Sequence, residues 1–196
     1  MEMRHENLIK YLQTEIFPAL SPGLYYHGPH HTMDVYDAAM RICEYQKVDD
    51  SLRDLVGAAA LLHDIGYVKS YRHNEALACE ICMNILPACG YDQPECAEIC
   101  KMIMATCVPQ NPHTIGAEIL CDADLDYLGR GDFESGANNL YNEFKEQKIV
   151  DSKEDWDQIQ IKFLSAHHYF TEFSNLYREP AKQKHLQKLI NLYHNK

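Results

Sequence analysis

The chain has 196 residues, of which 46% are hydrophobic and 24% are charged, as in globular proteins with one core. Its net charge of -11 at pH 7 argues against a nucleic-acid polymer as partner, because such binding depends on clustered Lys and Arg. No apolar run approaches the roughly 18 residues of a membrane-spanning helix, so we expect no membrane partner. The first residues lack a secretory pattern. We therefore expect a cytoplasmic protein whose eight cysteines are reduced thiols.

Apolar residues recur at every third or fourth position along most of the chain, which predicts helices. An amphipathic helix is predicted at the start, and Pro and Gly residues between positions 18 and 29 predict a loop after it. A second helix then begins near His30. A third helix is predicted from the capping residues at 49–51 to His63, with Gly66 as the residue that ends it.

The rest of the chain continues this helical pattern without a convincing pair of strands. Further helices are predicted over residues 74–87, 94–107, 115–128, 135–148, 154–168 and 180–194. Residues 56–62 are apolar on nearly every face, so we expect the third helix at the centre of the bundle. The predicted fold is all-α, with a single domain over residues 1–196. Its core spans about 24–130, and C-terminal helices at about 135–195 pack on this core.

Three separate segments carry residues of the types that bind metals. His31 stands at the start of the second helix, with His30 as the alternative if the register differs by one residue. His63 and Asp64 follow the central apolar helix, and Asp124 lies sixty residues later. A His-Asp pair alone is common at helix ends, where it caps the helix or makes a polar contact. The two flanking segments favour a metal site.

This succession resembles the HD superfamily of metal-dependent phosphohydrolases. The resemblance rests on the motifs YHGPHHTMDV, LLHDIGY and ILCDADLDYLG, which stand in the family's order. It implies an HD-type helical fold in which His31, His63, Asp64 and Asp124 hold one divalent metal. Asp122 is the rival for the last position. Asp124 is preferred because a small residue precedes it and an apolar stretch follows it.

The resemblance extends beyond the ligand motifs to a bacterial subgroup of HD phosphohydrolases whose activity is not assigned. It includes residues 129–133, Trp156 with Gln160, and residues 163–171, so it covers nearly the whole chain. On this resemblance alone, Gln160 and His167 are expected to contact substrate. Aromatic residues at such spacings otherwise indicate core packing. The substrate itself is not implied.

Two imidazoles and two carboxylates suit Mn, Fe, Co, Ni, Zn or Mg, and the identity of the metal stays open. A second metal is allowed but not expected. A metal with open coordination positions lowers the pKa of bound water and polarises a phosphoryl group. The resemblance therefore implies hydrolysis of a small phosphate ester, with a nucleotide or a related monoester or diester as the expected substrate.

Candidate catalytic residues lie close to the ligands in sequence. His27, just before the ligand helix, is predicted to donate a proton or contact phosphate, and Asp64 is predicted to serve catalysis as well as metal binding. Glu75 is predicted to act as a general base or to bind a second metal, although an acidic residue there also favours a helix N-terminus. The residues predicted to contact the phosphoryl oxygens are Lys69, Arg72, His73 and Arg130. Each of these four residues could equally be an ordinary charged residue on the protein surface.

Two other functions stay open at this stage. One is a di-iron oxygenase of the HD fold, and the other is a regulatory module that binds nucleotides and keeps the metal for stability. The oxygenase requires further histidines between Asp64 and Asp124, where only His73 and His113 occur. The same scarcity argues against a cyclic-dinucleotide phosphodiesterase. Since helical HD proteins often dimerise, a homodimer is a further expectation.

Overall fold

The computed structural model describes residues 2–194, and this part of the chain forms ten α-helices without a strand. The all-α prediction is confirmed. None of these helices is both long and apolar enough to cross a bilayer. The helices are α1 (Glu2–Tyr11), α2 (Pro29–Gln46), α3 (Asp50–Leu62), α4 (Asn74–Ile85), α5 (Gln93–Ala105), α6 (Ile115–Asp124), α7 (Phe133–Glu146), α8 (Lys153–Ala166), α9 (Glu172–Tyr177) and α10 (Glu179–His194).

The predicted helix bounds differ from the structure at two notable places. Helix α6 ends at Asp124 instead of continuing to residue 128, because Leu125 leaves the helical conformation. The chain then forms a 3-10 turn at Asp126–Gly129, which buries Tyr127 and Leu128. Helix α9 was not predicted, since its six residues are too few for a clear three- and four-residue repeat.

Helix α3 lies at the centre of the fold, as its sequence predicts. Residues 58–62, three alanines followed by two leucines, have no exposed surface. The small alanine side chains let neighbouring helices approach closely, and α3 packs against α1, α2, α5 and α6. The Asp49 side chain caps the N-terminus of α3 by accepting a hydrogen bond from the Leu52 N–H at 2.8 Å. Packing on all sides therefore holds α3 firmly at the centre of the fold.

A second apolar cluster attaches the C-terminal helices to this core. It joins Tyr26, which precedes α2, and Leu128, which follows α6, to Trp156 of α8 and Leu186 of α10. Helix α10 also packs against α8 and against the 3-10 turn at Asp126–Gly129. The cluster thus places α7, α8 and α10 beside the N-terminus of α2 and the C-terminus of α6.

Two buried carboxylates on either side of Asp124 anchor the chain that leads into α9 and α10. Asp122 Oδ2 accepts hydrogen bonds from the N–H and hydroxyl of Thr171 at 2.8 and 2.7 Å. Asp126 Oδ1 accepts a hydrogen bond from Arg178 Nε at 2.7 Å. Both carboxylates are therefore committed to structural contacts.

Gly66 does not end α3, contrary to the prediction. The helix ends at Leu62, and Gly66 lies in a 3-10 turn at Ile65–Val68. A Cβ atom at Gly66 would lie 1.9 Å from the main-chain oxygen of Asn74 and 2.9 Å from the main-chain nitrogen of Ala78. Glycine is therefore needed here because α4 packs directly against the backbone of this turn.

We expect Gly66→Ala to lower the free energy of unfolding by about 3 kcal/mol, since backbone atoms on both sides must move to admit the methyl group. Urea denaturation measures this change. Gly131→Ala is the matched control, because a Cβ atom at Gly131 meets nothing within 4 Å, and its effect should stay within about 0.5 kcal/mol. Equal destabilisation by the two substitutions would contradict the packing argument.

Candidate metal centre

Three helix ends meet at a cluster of imidazole and carboxylate groups. His31 is the third residue of α2, His63 directly follows α3, and Asp124 is the last residue of α6. One ligand-type atom from each of these residues lies within 4.8 Å of the other two. Helices α2, α3 and α6 pack pairwise, and this packing brings the three residues together.

The distances place all four predicted ligands around the same two imidazole nitrogens. His31 Nε2 lies 3.4 Å from His63 Nε2 and 3.2 Å from Asp124 Oδ1. His63 Nε2 lies 3.6 Å from the same Asp124 oxygen. Asp64 Oδ2 lies 3.1 Å from His63 Nε2 and 3.4 Å from His31 Nε2. The group is compact enough to be spanned by one ion.

The contacts within this group leave one buried carboxylate oxygen without a hydrogen bond. His63 Nδ1 lies 2.8 Å from the carbonyl oxygen of Ala60, which can only accept, so Nδ1 donates. In the neutral ring, Nε2 then carries the lone pair that faces His31. Asp64 Oδ2 is buried and makes no hydrogen bond. A divalent cation would satisfy the facing nitrogen and the buried carboxylate together, so these residues fit a metal.

The electrostatics of the centre favour positive charge. Burial alone would lower the pKa of His63, but the carboxylates of Asp64 and Asp124 raise it well above its usual value. Burial alone would raise the pKa of Asp124, but His31 and His63 lower it below its usual range. The C-terminal ends of α3 and α6 add partial negative charge. The site therefore attracts a cation.

The compact group contains His31 and Asp124. The two alternatives that the sequence left open, His30 and Asp122, do not belong to it. His30 is exposed on the first turn of α2. Asp122 has no exposed surface and is held by Thr171. Asp64 lies outside the tightest group of three, although its Oδ2 approaches both imidazoles, and its role as a ligand stays a prediction.

A cavity of about 320 Å³ reaches the metal centre, since Asp64 and Asp124 are among its lining residues. The rest of its wall comes from the segments before α2 and α4, the segments after α5 and α6, and helices α4, α7 and α8. A second cavity of about 250 Å³ reaches the same centre at His31 and Asp124. The centre is therefore accessible to a ligand from two directions.

His27 lies in the first cavity and is held by Glu143 of α7, a residue that sequence reasoning missed. His27 Nδ1 contacts Glu143 Oε1, and the imidazole stacks on Tyr67 at 4.6 Å between ring centroids. Glu143 also accepts hydrogen bonds from the N–H groups of Tyr26 and His27 at 2.8 and 3.0 Å and from the Tyr71 hydroxyl at 2.9 Å. Its four donors fix the carboxylate, and the carboxylate fixes the imidazole.

The pair favours a protonated imidazole. Burial alone would lower the pKa of His27, but the hydrogen bond to Glu143 and the charge of Asp64 raise it above its usual value. Burial alone would raise the pKa of Glu143, but the His27 contact lowers it. The only sequence signal for Glu143 is its position three residues after Leu140, on the apolar side of α7. Nothing local indicates its partner, which lies 116 positions away.

Three other predicted residues lie at the two cavities. Glu75 and Gln160 line the first cavity, and Gln160 is 7% exposed. Arg130 lines the second cavity, where it donates to Asp34 at 2.7 Å and to Asp132 at 2.9 Å. Their roles toward a substrate stay predictions.

The structure does not bring the other four predicted residues to the cavities at the metal centre. Lys69 is exposed and pairs with a surface glutamate at 3.1 Å, and Arg72 and His73 are exposed before α4. His167 lines a separate cavity of about 120 Å³. Burial and the nearby Lys182 ammonium lower its pKa to about 4. Contacts of these four residues with substrate stay predictions that their positions do not support.

The histidines that a di-iron cluster would need are also elsewhere. His73 is exposed, and exposed His113 lies 3.2 Å from Asn111. Within residues 2–194, His31, His63 and Asp124 form the one group of three or more candidate ligand atoms that lie this close together. Glu75 lines the same cavity without joining that group.

A family model for the HD domain matches residues 30–127, which are 98 of the 196 residues. The match begins one residue before His31 and ends three residues after Asp124, so it contains all four predicted ligands. No curated protein matches the chain. HD domains bind divalent metals, and most proteins of the family are metal-dependent phosphohydrolases. The matched segment, the helical fold and the clustered imidazoles all indicate the same family. The chain therefore belongs to the HD domain family.

Proposed function

We propose that the protein is a metal-dependent phosphohydrolase that cleaves a small phosphate ester, either a nucleotide or a related monoester or diester. The observation that carries this proposal is the joining of two features in one cavity. The cavity reaches the carboxylates of the metal centre, and it also contains His27, whose Nδ1 is engaged by Glu143. A cation and a proton donor beside the same space suit phosphoryl transfer to water.

His31, His63, Asp64 and Asp124 are the residues that would hold the metal. When bound, a divalent cation supplies Lewis acidity to a phosphoryl oxygen and lowers the pKa of water to near neutrality. The Ala60 carbonyl holds the proton on His63 Nδ1, so that His63 Nε2 remains free to bind the ion.

His27 acts on the substrate through its Nε2 atom, which makes no hydrogen bond within the described residues. Because Glu143 favours the imidazolium, Nε2 carries a proton that it can donate to a phosphoryl oxygen or to the leaving oxygen. The stacked Tyr67 ring and the four bonds to Glu143 keep this nitrogen in place. Glu75, in the first turn of α4, lines the same cavity and is proposed to accept a proton from water.

Asp124→Ala is expected to lose both the metal and phosphate release. Elemental analysis of the wild type, after loading with metal and removal of the excess, should find one divalent ion per chain. The variant should retain far less metal, and its rate of hydrolysis of a phosphate-ester panel should fall by about 100-fold or more. Loss of a residue that only hydrogen-bonds to a metal ligand already lowers metal affinity or activity by about 10–100-fold. Asp37→Ala, an exposed position on α2, is the matched control. A metal-loaded wild type that releases phosphate from no ester would overturn the proposal.

Glu143→Gln is expected to move the basic limb of the kcat/KM profile to lower pH. Glu143 raises the pKa of His27, so the imidazolium is retained at low pH and lost as pH rises through this pKa. The neutral amide lowers the pKa, and the loss then occurs at lower pH. The wild type and the variant are both measured when fully loaded with the same metal, so that the ion affects both pH profiles alike.

His27→Ala completes this test, and kcat should fall by about 100-fold or more if His27 donates the proton. Glu134→Gln, an exposed position on the same helix as Glu143, should leave the pH profile unchanged. Circular dichroism verifies that each variant is folded. A folded Glu143→Gln protein with an unmoved basic limb would show that the pair does not control the donated proton.

A further inference from the structure

The cavity wall away from the metal centre is apolar and carries no cation. Its lining from α7 and α8 is aromatic or aliphatic apart from one amide, Gln160. Among the described residues that line the cavity, no Lys or Arg occurs, whereas Asp64, Glu75 and Asp124 are carboxylates. The apolar lining residues of α7 and α8 are Leu140, Phe144, Trp156, Ile159, Phe163 and Leu164.

This charge distribution limits how much phosphate the cavity can accept. One phosphate group can lie against the metal centre and the His27 imidazolium. A second or third phosphate would extend along an apolar wall that offers no cation, and it would lose hydration without compensation. The wall instead suits a flat organic group, because aromatic side chains favour stacked or edge-to-face contacts with another ring.

One amide supplies a polar contact in this apolar wall. Gln160 of α8 is 7% exposed, lines the cavity, and no hydrogen bond engages its side chain within the described residues. A buried amide without a hydrogen bond is unfavourable, and a ligand with a polar group at this position would pair with it.

We propose that the substrate is a phosphate monoester whose organic part is one compact aromatic or heteroaromatic group, and not a diphosphate or triphosphate. The ring packs against Trp156 and Phe163, and a polar group on the ring bonds to the Gln160 amide. The volume of about 320 Å³ is at the small end of the range of about 300–1,000 Å³ for organic ligands, which favours one compact ring over a dinucleotide. This inference rests on the proposed phosphohydrolase function.

The reaction is hydrolysis and needs no co-reactant except water. The phosphorus bond to the ester oxygen breaks, and a bond from phosphorus to the water oxygen forms. The leaving oxygen takes a proton from His27 Nε2, the water gives up one proton to the Glu75 carboxylate, and the products are the free alcohol and inorganic phosphate.

Two matched pairs of esters test the substrate class on the metal-loaded, full-length protein. Phenyl phosphate should exceed glycerol 3-phosphate in kcat/KM by about 10-fold or more, because only the phenyl ring gains from burial in the apolar wall. A nucleoside monophosphate should exceed the triphosphate of the same nucleoside by a similar factor of about 10. Equal rates within either pair would overturn the proposal.

Binding can be measured without catalysis because Trp156 is the single tryptophan of the chain and lines the cavity. Phenyl phosphate and the nucleoside monophosphate should change its fluorescence, and glycerol 3-phosphate should not. If no ester is hydrolysed but this binding pattern is found, the hydrolase proposal fails and the ligand class stands. If esters are hydrolysed without preference for the aromatic monoesters, the hydrolase proposal stands and this inference fails.

Ile159→Lys tests the charge argument directly. Ile159 lines the cavity and is 38% exposed, so a lysine can lie at the rim without entering the core. The new cation should raise the ratio of triphosphate to monophosphate kcat/KM by about 5-fold, and the neutral control Ile159→Gln should not. An unchanged ratio in the folded lysine variant would refute the idea that absence of cations excludes polyphosphates.

Gln160→Leu tests the hydrogen bond to the ring. The variant should weaken binding of the nucleoside monophosphate by about 10-fold, while phenyl phosphate, which has no polar group on its ring, should bind within about 2-fold of the wild type. A purely structural role for Gln160 would weaken both ligands equally. That outcome would remove Gln160 from the proposed contacts.

Discussion

The candidate site depends on one close approach inside the protein, in which two imidazole nitrogens lie 3.4 Å apart with two carboxylates beside them. Without a cation, such a group leaves buried polar atoms unpaired, which opposes folding. The group is nevertheless held together because α2, α3 and α6 pack around a central helix rich in alanine. Apolar packing therefore fixes the positions of the ligands, and a metal would relieve the polar strain that this packing creates.

The ligand cluster and the apolar wall of the first cavity come from different parts of the chain. Residues 30–127, the part that matches the HD domain, contain the clustered imidazoles and carboxylates. Glu143, Trp156 and Gln160 lie on α7 and α8, beyond this match, and reach the site because the second apolar cluster attaches these helices beside Tyr26 and Leu128. The family match thus covers the candidate metal ligands, while α7 and α8 supply the apolar wall beside them.

Local patterns in the sequence predicted what local physics controls, and they failed where distant segments meet. The central position of α3 follows from its uniform apolarity, and the grouping of His31, His63 and Asp124 follows from motifs that stand at helix ends. Nothing near Glu143 indicates His27, because their contact is set by how α7 packs on the core. The sequence around Gly66 resembles a helix end, because the close contact of this glycine with α4 is not visible along the chain.

Proximity in sequence was equally misleading for the predicted phosphate contacts. Lys69 and Arg72 follow Asp64 closely, but the turn that Gly66 allows directs the chain into α4 and leaves both side chains exposed. Arg130 does reach the second cavity, where its bonds to Asp34 and Asp132 already offset its charge. A cation close to the ligands in sequence is therefore not automatically available to a substrate.

The charges around the first cavity are mainly negative. The chain has a net charge of -11, and the first cavity is lined by three carboxylates and no Lys or Arg. Among the described residues that line it, His27 is the one side chain that can carry positive charge, and it is paired with Glu143. Under the proposed function, a bound divalent cation would offset the carboxylates for an incoming phosphate ester. This charge balance favours joint binding of the metal and the ester.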